Sequence, residues 1–313
     1  MHHCTFCGVE SKARSFTTEF EHFPTMGGGS TAQDHPWEYL TASALAASIN
    51  YPLWRASAIG QSGFNVSLRA LGSLGHARIP PSISPYVYAF APPYKGMFAT
   101  VFGMTWARAA IFWGSDRGKE YLLQHQLVGE TAATVLPPLT VSTLVQIVNQ
   151  PIVRASVTLQ NPESRLSNTM ASVQYIYQRH GVSGLWHGTS AGILKTVPKY
   201  CTAIVVKDYM EQILPKADPS SPSYDSDRLW RSATKSAAAG VAGAALTNPL
   251  DVIRNEMFKT NQSLPNTIRL LYDELGYSFL SRGLGKNMIA VAVPVGCTIF
   301  FTDALIQLNN QLQ

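Results

Sequence analysis

Residues 248–259 read NPLDVIRNEMFK, placing an acid two residues and a base five residues after Pro249, at Asp251 and Arg254. On a helix, groups three apart share a face, so this acid and base either pair with each other or meet partners from neighbouring segments. Three further cations, Arg108, Lys195 and Lys199, interrupt long apolar stretches. A cation inside such a stretch usually marks a solute or ion pathway, although a lysine can also snorkel to an interface. Cys4 and Cys7 beside His2 and His3 could bind zinc, but no second pair completes a site. Nowhere do a nucleophile and base, a phosphate loop or a metal cluster stand at usable spacing, so neither an enzyme nor a cofactor is expected.

The elements that must position these charges are apolar. Of the 313 residues, 46% are hydrophobic and only 14% charged, well below the roughly 25% typical of soluble domains. Residues 131–153 contain no charge at all, and at about 1.5 Å per residue they are long enough to cross a hydrocarbon core of roughly 30 Å. Other apolar stretches, at 39–54, 96–115, 188–206, 236–250 and 287–302, are shorter or carry isolated charges. Helices around a polar interior read this way, because only their outer face meets lipid. A buried soluble helical bundle is the competing reading. The net charge of +5 and a pI near 9.0 suit anionic lipid or solutes. No basic run with interleaved aromatics points to nucleic acid. The N-terminus has neither the apolar core of a signal peptide nor the acid-poor composition of a transit peptide.

Prolines recur at Pro52, Pro151 and Pro249, spaced by 99 and 98 residues. Each is followed by a polar connector and a triplet with a basic residue or His before Gly, ending at Gly96, Gly188 and Gly283. Twenty residues past these glycines stand Asp116, Asp208 and Asp303. Landmarks recurring in step establish a threefold internal repeat. The boundaries it implies are a polar tail over 1–35 and repeats over 36–130, 131–230 and 231–313. Each repeat reads as an apolar helix, an amphipathic segment and a second apolar helix. The amphipathic stripes are Met170, Val173 and Tyr177 in the second repeat and Ile268, Leu271, Tyr272 and Leu275 in the third. The first connector, 60–93, is rich in Pro, Ser and Gly and reads as irregular loop. The fold class expected is therefore an all-α membrane protein of six transmembrane helices from three pseudo-symmetric two-helix repeats. Its connectors are net basic and its opposite face net acidic, which sets the connectors toward the inner compartment.

The PLDVIR motif, the three triplets and the period together resemble the mitochondrial carrier family, over residues 37–308. The resemblance implies a six-helix barrel around a water-filled cavity in the mitochondrial inner membrane, both termini toward the intermembrane space, opening alternately to either side. It implies that Pro52, Pro151 and Pro249 kink the odd helices, and that acids and bases after them close a matrix gate. Here the acid positions hold Trp54, Val153 and Asp251, and the base positions Ser57, Ser156 and Arg254. None of the three inter-repeat bridges of that gate can form. Arg55 and Arg154 lie about 200° around the helix from the base positions and are expected to face the connectors, the outer surface or lipid phosphates. The outer gate falls on Asp116, Lys119, Asp208 and Asp303; with Glu211 added it is net negative and should repel itself when closed. Substrate contacts fall on Lys195 and Thr196, with Arg108 and Lys199 adding charge, while Ala290 stands where the family often has a base. Gly96, Gly188 and Gly283 would cradle cardiolipin phosphates at helix N-termini.

Two functions follow from the resemblance. One is a transporter of small anionic solutes. The other is a transport-inactive carrier-derived scaffold, for instance a structural subunit docked on respiratory-complex partners.

Overall fold

The computed structural model describes residues 35–64, 66, 80, 82–216 and 224–312. The tail with Cys4 and Cys7, and the side chain of Asp208, lie outside them. Among the described residues every regular element is helical. In chain order these are α1 (Pro36–Ile49), α2 (Tyr51–Ser62), α3 (Ser84–Ala89), α4 (Met97–Gln124), α5 (Glu130–Leu159) and α6 (Thr169–Leu185). They continue with α7 (Thr189–Leu194), α8 (Thr196–Ile213), α9 (Tyr224–Thr260), α10 (Leu264–Leu275), a 3-10 turn at Gly276–Ser281, and α11 (Leu284–Leu312). Two stretches, Ala132–Leu159 and Leu284–Asn309, are long and apolar enough by themselves to cross a membrane.

Two pairs, α1 with α2 and α7 with α8, are single rods interrupted at Asn50 and Lys195, so six rods form in all among the described residues. The first interruption has a local cause. Pro52 sits in the first turn of α2, where its missing N–H costs nothing, and Asn50 Nδ2 donates to the Ala46 carbonyl at 2.9 Å. Pro151 and Pro249 instead lie within the continuous helices α5 and α9. Each rod packs on the next in chain order, and α11 returns to α1, so the rods close a ring. At the connector end α9 also reaches α2 and α5, bringing the odd rods together there.

The two landmarks of the repeat meet in space. The residue before each proline donates to the backbone carbonyl of the middle residue of its own triplet. Tyr51 Oη reaches Lys95 O at 2.8 Å, Gln150 Nε2 reaches His187 O at 2.8 Å, and Asn248 Nδ2 reaches Arg282 O at 3.2 Å. The triplet glycines follow immediately, with φ of 80°, 82° and 70°. That left-handed turn is what lets the chain leave the connector and start a helix, and an L side chain resists it.

The connectors differ from expectation in two ways. The first is not wholly irregular, since α3 forms within it and buries Tyr88 and Ala89 against Ala56 and Ile59. The amphipathic stripes are also turned outward in part, although Leu271 of the second one is buried. Met170 and Tyr177 on α6 are exposed, as are Ile268, Tyr272 and Leu275 on α10, whereas Ser172, Ile176, Thr267 and Leu271 are buried. The packed faces pair one large apolar residue, Ile176 or Leu271, with a hydroxylated neighbour, Ser172 or Thr267, and the other large stripe residues named above are left on the surface.

Candidate functional site

A central cavity of about 470 Å³ is lined by all six rods. Its wall runs from Tyr39 and Lys207 at one end to Gln61, Val157 and Asn255 at the other. All six positions assigned to the matrix gate line it: Trp54, Ser57, Val153, Ser156, Asp251 and Arg254. Ser156 accepts from Thr100 Oγ1 at 2.9 Å, Ser57 lies 3.4 Å from Asn287 Oδ1, and Trp54 stacks on Tyr51 with ring centroids 5.4 Å apart.

Asp251 is the centre of charge pairing. Its Oδ1 lies 3.0 Å from Arg254 Nη2 on the same helix and 2.7 Å from Lys195 Nζ on the rod before it. Both local pairing and an inter-repeat contact are therefore realised, but the inter-repeat base is Lys195 rather than a residue of the first rod. Lys195 had two alternatives, a solute site and an interface. The side chain is only 17% exposed and lies in the cavity wall, so it does not snorkel. Lys199, one turn farther along the rod, and Arg108 on α4 also line the cavity, with Arg108 donating to Ser43 Oγ. Thr196 is not among the lining residues, and its hydroxyl donates to the Gly192 carbonyl at 3.3 Å. The expectation that it contacts substrate directly is not matched by this placement, because position 196 lies on the next face of the helix from 195.

Beyond the gate positions the floor is closed by side chains not assigned to it from the sequence. Each boundary between repeats carries a cation donating to a neutral oxygen. Arg55 Nε reaches Gln160 Oε1 at 2.6 Å, and Arg154 Nη2 reaches Asn261 Oδ1 at 3.0 Å. Arg282 Nε and Lys259 Nζ reach the Gln61 and Ser62 carbonyls at 2.8 and 3.2 Å. Glu256 holds that last pair of cations, at 2.8 Å from Arg282 and 2.9 Å from Lys259. Arg55 and Arg154 are 0% and 1% exposed, so of the three directions open to them they take the connectors. Their other contacts are Ala89 and Pro92 carbonyls for Arg55 and the Gly184 carbonyl for Arg154. Equivalent placement three residues after a proline was the available signal; the uncharged partners gave none.

At the other end, Asp116 and Asp303 do not line the cavity. Asp303 accepts from Gln307 at 3.0 Å on its own helix, and Lys119 lies near Asp116 one turn away. Glu211 does not add to an acidic ring, since Arg231 and Lys235 from α9 both pair with it.

The family model described as "Mitochondrial carrier protein" matches residues 130–218 and 225–311, the second and third repeats. The chain is 21% identical over 225 residues to "Mitochondrial ornithine transporter 1" of Saccharomyces cerevisiae, covering 66% of this chain and 74% of that one. It is 23% identical over 238 residues to "Protein MITOFERRINLIKE 1, chloroplastic" of Arabidopsis thaliana, covering 70% and 56%. A third relative, the mitochondrial coenzyme A transporter of Homo sapiens, is 25% identical over 198 residues, covering 61% and 57%. The matched region is thus little more than half the length of the latter two.

Proposed function

Since the chain belongs to the mitochondrial carrier family, we propose that it carries a small anionic solute across the inner mitochondrial membrane through the central cavity. The observation that supports this is the charge of the lining. Among the described residues it holds the cations Arg108, Lys195, Lys199, Lys207 and Arg254 against one acid, Asp251. Such a surface, walled by apolar helices, concentrates anions and repels cations. Of the substrates in the relatives' names, ornithine carries an extra ammonium that these cations would repel, while coenzyme A is a polyanion that they would attract.

In this reading the six rods are six membrane spans and the units 36–130, 131–230 and 231–313 act as three repeats behind the tail at 1–35. Both termini face the intermembrane space, with the net-basic connectors in the matrix. Gly96, Gly188 and Gly283 immediately precede α4, α7 and α11, and a helix N-terminus entered through a left-handed glycine suits cardiolipin phosphates. At the connector end, where the odd rods come together, the cation-to-oxygen clasps stand in for the ion pairs that Trp54, Ser57, Val153 and Ser156 cannot make. Hydrogen bonds to neutral acceptors are weaker than buried ion pairs and can still be broken and remade by solute binding.

Those four uncharged gate positions favour a second reading, a structural subunit of a respiratory assembly that no longer transports. Reconstitution separates the two. Purified protein in liposomes should exchange internal for external anions, and not ornithine or lysine; no exchange of any anion contradicts the transporter and leaves the structural reading.

A further inference from the structure

The lysine best placed to meet an anion is already engaged. Lys195 Nζ lies 2.7 Å from Asp251 Oδ1, and the Asp251 side chain is 13% exposed in the cavity wall. Arg254 Nη2 touches the same oxygen at 3.0 Å, and Arg254 Nε is buried without an acceptor among the described residues. Lys199 and Arg108 line the same space, where the charges of Asp251 and then Arg108 act on Lys199. Among the described residues Arg108 donates to the neutral Ser43 hydroxyl. One wall of the cavity is therefore a cation pair bridged by a carboxylate, and nearby stand Lys199 and Arg108, which among the described residues make no direct ion pair, although the Asp251 charge reaches Lys199 through space.

We propose that Asp251 is an internal counter-anion, exchanged for the substrate's own anionic group at Lys195, and that it restricts transport to solutes carrying two or more negative charges. The inference rests on the anion-carrier reading. A solute with a single carboxylate offers Lys195 only what Asp251 already gives, and must also lose translational freedom to offer it. Tethered on the same fold, Asp251 competes at an effective concentration that a dilute monoanion does not match. A second anionic group changes the balance, because among the described residues Arg108 and Lys199 have no direct carboxylate contact to give up, Asp251 acting on Lys199 only through space. Once displaced, Asp251 is not left as a lone buried charge, a state that would cost several kcal/mol, because Arg254 on the same helix still holds it. The exchange also breaks an ion pair between the second repeat and the third, so filling the site loosens the contact between α9 and the rod carrying Lys195. Asp251 is thus a specificity-determining residue, and the substrate class is polyanionic: tricarboxylate, phosphate ester or nucleotide.

The test is homo-exchange by the full chain in proteoliposomes, with citrate and ATP as polyanions and acetate and lactate as monoanions. The wild type is expected to prefer polyanions by about tenfold or more, corresponding to roughly 1.4 kcal/mol of differential binding. Asp251→Asn should raise acetate and lactate exchange and shrink that ratio toward unity, and Asp251→Glu should restore it. A ratio unchanged in Asp251→Asn, or a wild type that prefers monoanions, overturns the inference while leaving anion carriage intact. A wild type that exchanges no anion overturns anion carriage itself and this inference with it. Thermal stabilisation of the wild type gives a readout independent of any variant: citrate or ATP should raise the unfolding temperature where acetate does not, and equal shifts for both contradict the proposal.

Discussion

Arg55 in the first repeat donates through Nε to Gln160 in the second at 2.6 Å, and neither side chain is exposed to solvent. A buried guanidinium facing a neutral amide is an unusual clasp, because among the described residues the charge meets no carboxylate, only carbonyl and amide dipoles and the Tyr88 ring 5.9 Å away. The same arrangement at Arg154 and Asn261 joins the second repeat to the third.

Removing the acceptor should therefore be costly. Gln160→Leu leaves Arg55 buried without its strongest partner, and the expected loss is about 1.5–3 kcal/mol, the range for a hydrogen bond to a charged group. Thermal unfolding of the purified variant measures it. A variant as stable as the wild type would mean that the clasp contributes nothing at this boundary.

The triplet glycine Gly283 and Gly276, which follows α10, should separate by their surroundings. A Cβ at Gly283 would lie 2.6 Å from the Gln61 backbone nitrogen, whereas one at Gly276 meets nothing within 4 Å. Both have positive φ, at 70° and 57°, so an alanine at either position is strained by about 1–3 kcal/mol. Gly283→Ala should lower the unfolding temperature well beyond Gly276→Ala, since backbone at the first rod must also shift. Equal effects would show that strain alone matters.

Acidification should weaken the connector end. Burial pushes the His187 imidazole below its ordinary range and the nearby charges of Arg154 and His180 act in the same sense, while the hydrogen bond to the Gln262 carbonyl works against them. His180 is lowered too, by burial and then by Arg154 and Arg179. A base whose folded pKa is depressed is protonated first in the unfolded chain. Stability is then lost as pH falls below about 6.5 toward the folded value. Unfolding temperatures between pH 7.5 and 5.5 should fall for the wild type and fall less for His187→Gln; parallel slopes would exclude this residue as a source.

Much of this architecture is legible in the sequence because repetition is. Pro52, Pro151 and Pro249 and the glycines at 96, 188 and 283 announce themselves by spacing, and the glycines carry the left-handed turn that explains their presence. The clasp acceptors Gln61, Gln160 and Asn261 do not, because uncharged amides and backbone carbonyls leave no charge pattern to read. Lys195 and Asp251 were both singled out, yet not as partners. Residue mapping faces Asp251 toward Ser57 across the gate, and the lost charge at Ser57 leaves that carboxylate to the nearest cation instead. The stripes on α6 and α10 are matched only in part: Leu271 is buried, but Met170, Tyr177, Ile268, Tyr272 and Leu275 face outward, and Ser172, Ile176 and Thr267 are the buried residues beside them.

The central claim is that the cationic cavity carries anions, and Lys199 tests it most directly. Lys199 lines the cavity, while Thr196, one turn earlier on the same rod, bonds back to Gly192 and does not. Citrate and ATP homo-exchange in proteoliposomes should be saturable for the wild type, fall by about tenfold or more in Lys199→Met for loss of an ion contact of roughly 1.4 kcal/mol, and be unaffected in Thr196→Val. Exchange at the wild-type rate in Lys199→Met, or no anion exchange by the wild type at all, would contradict it.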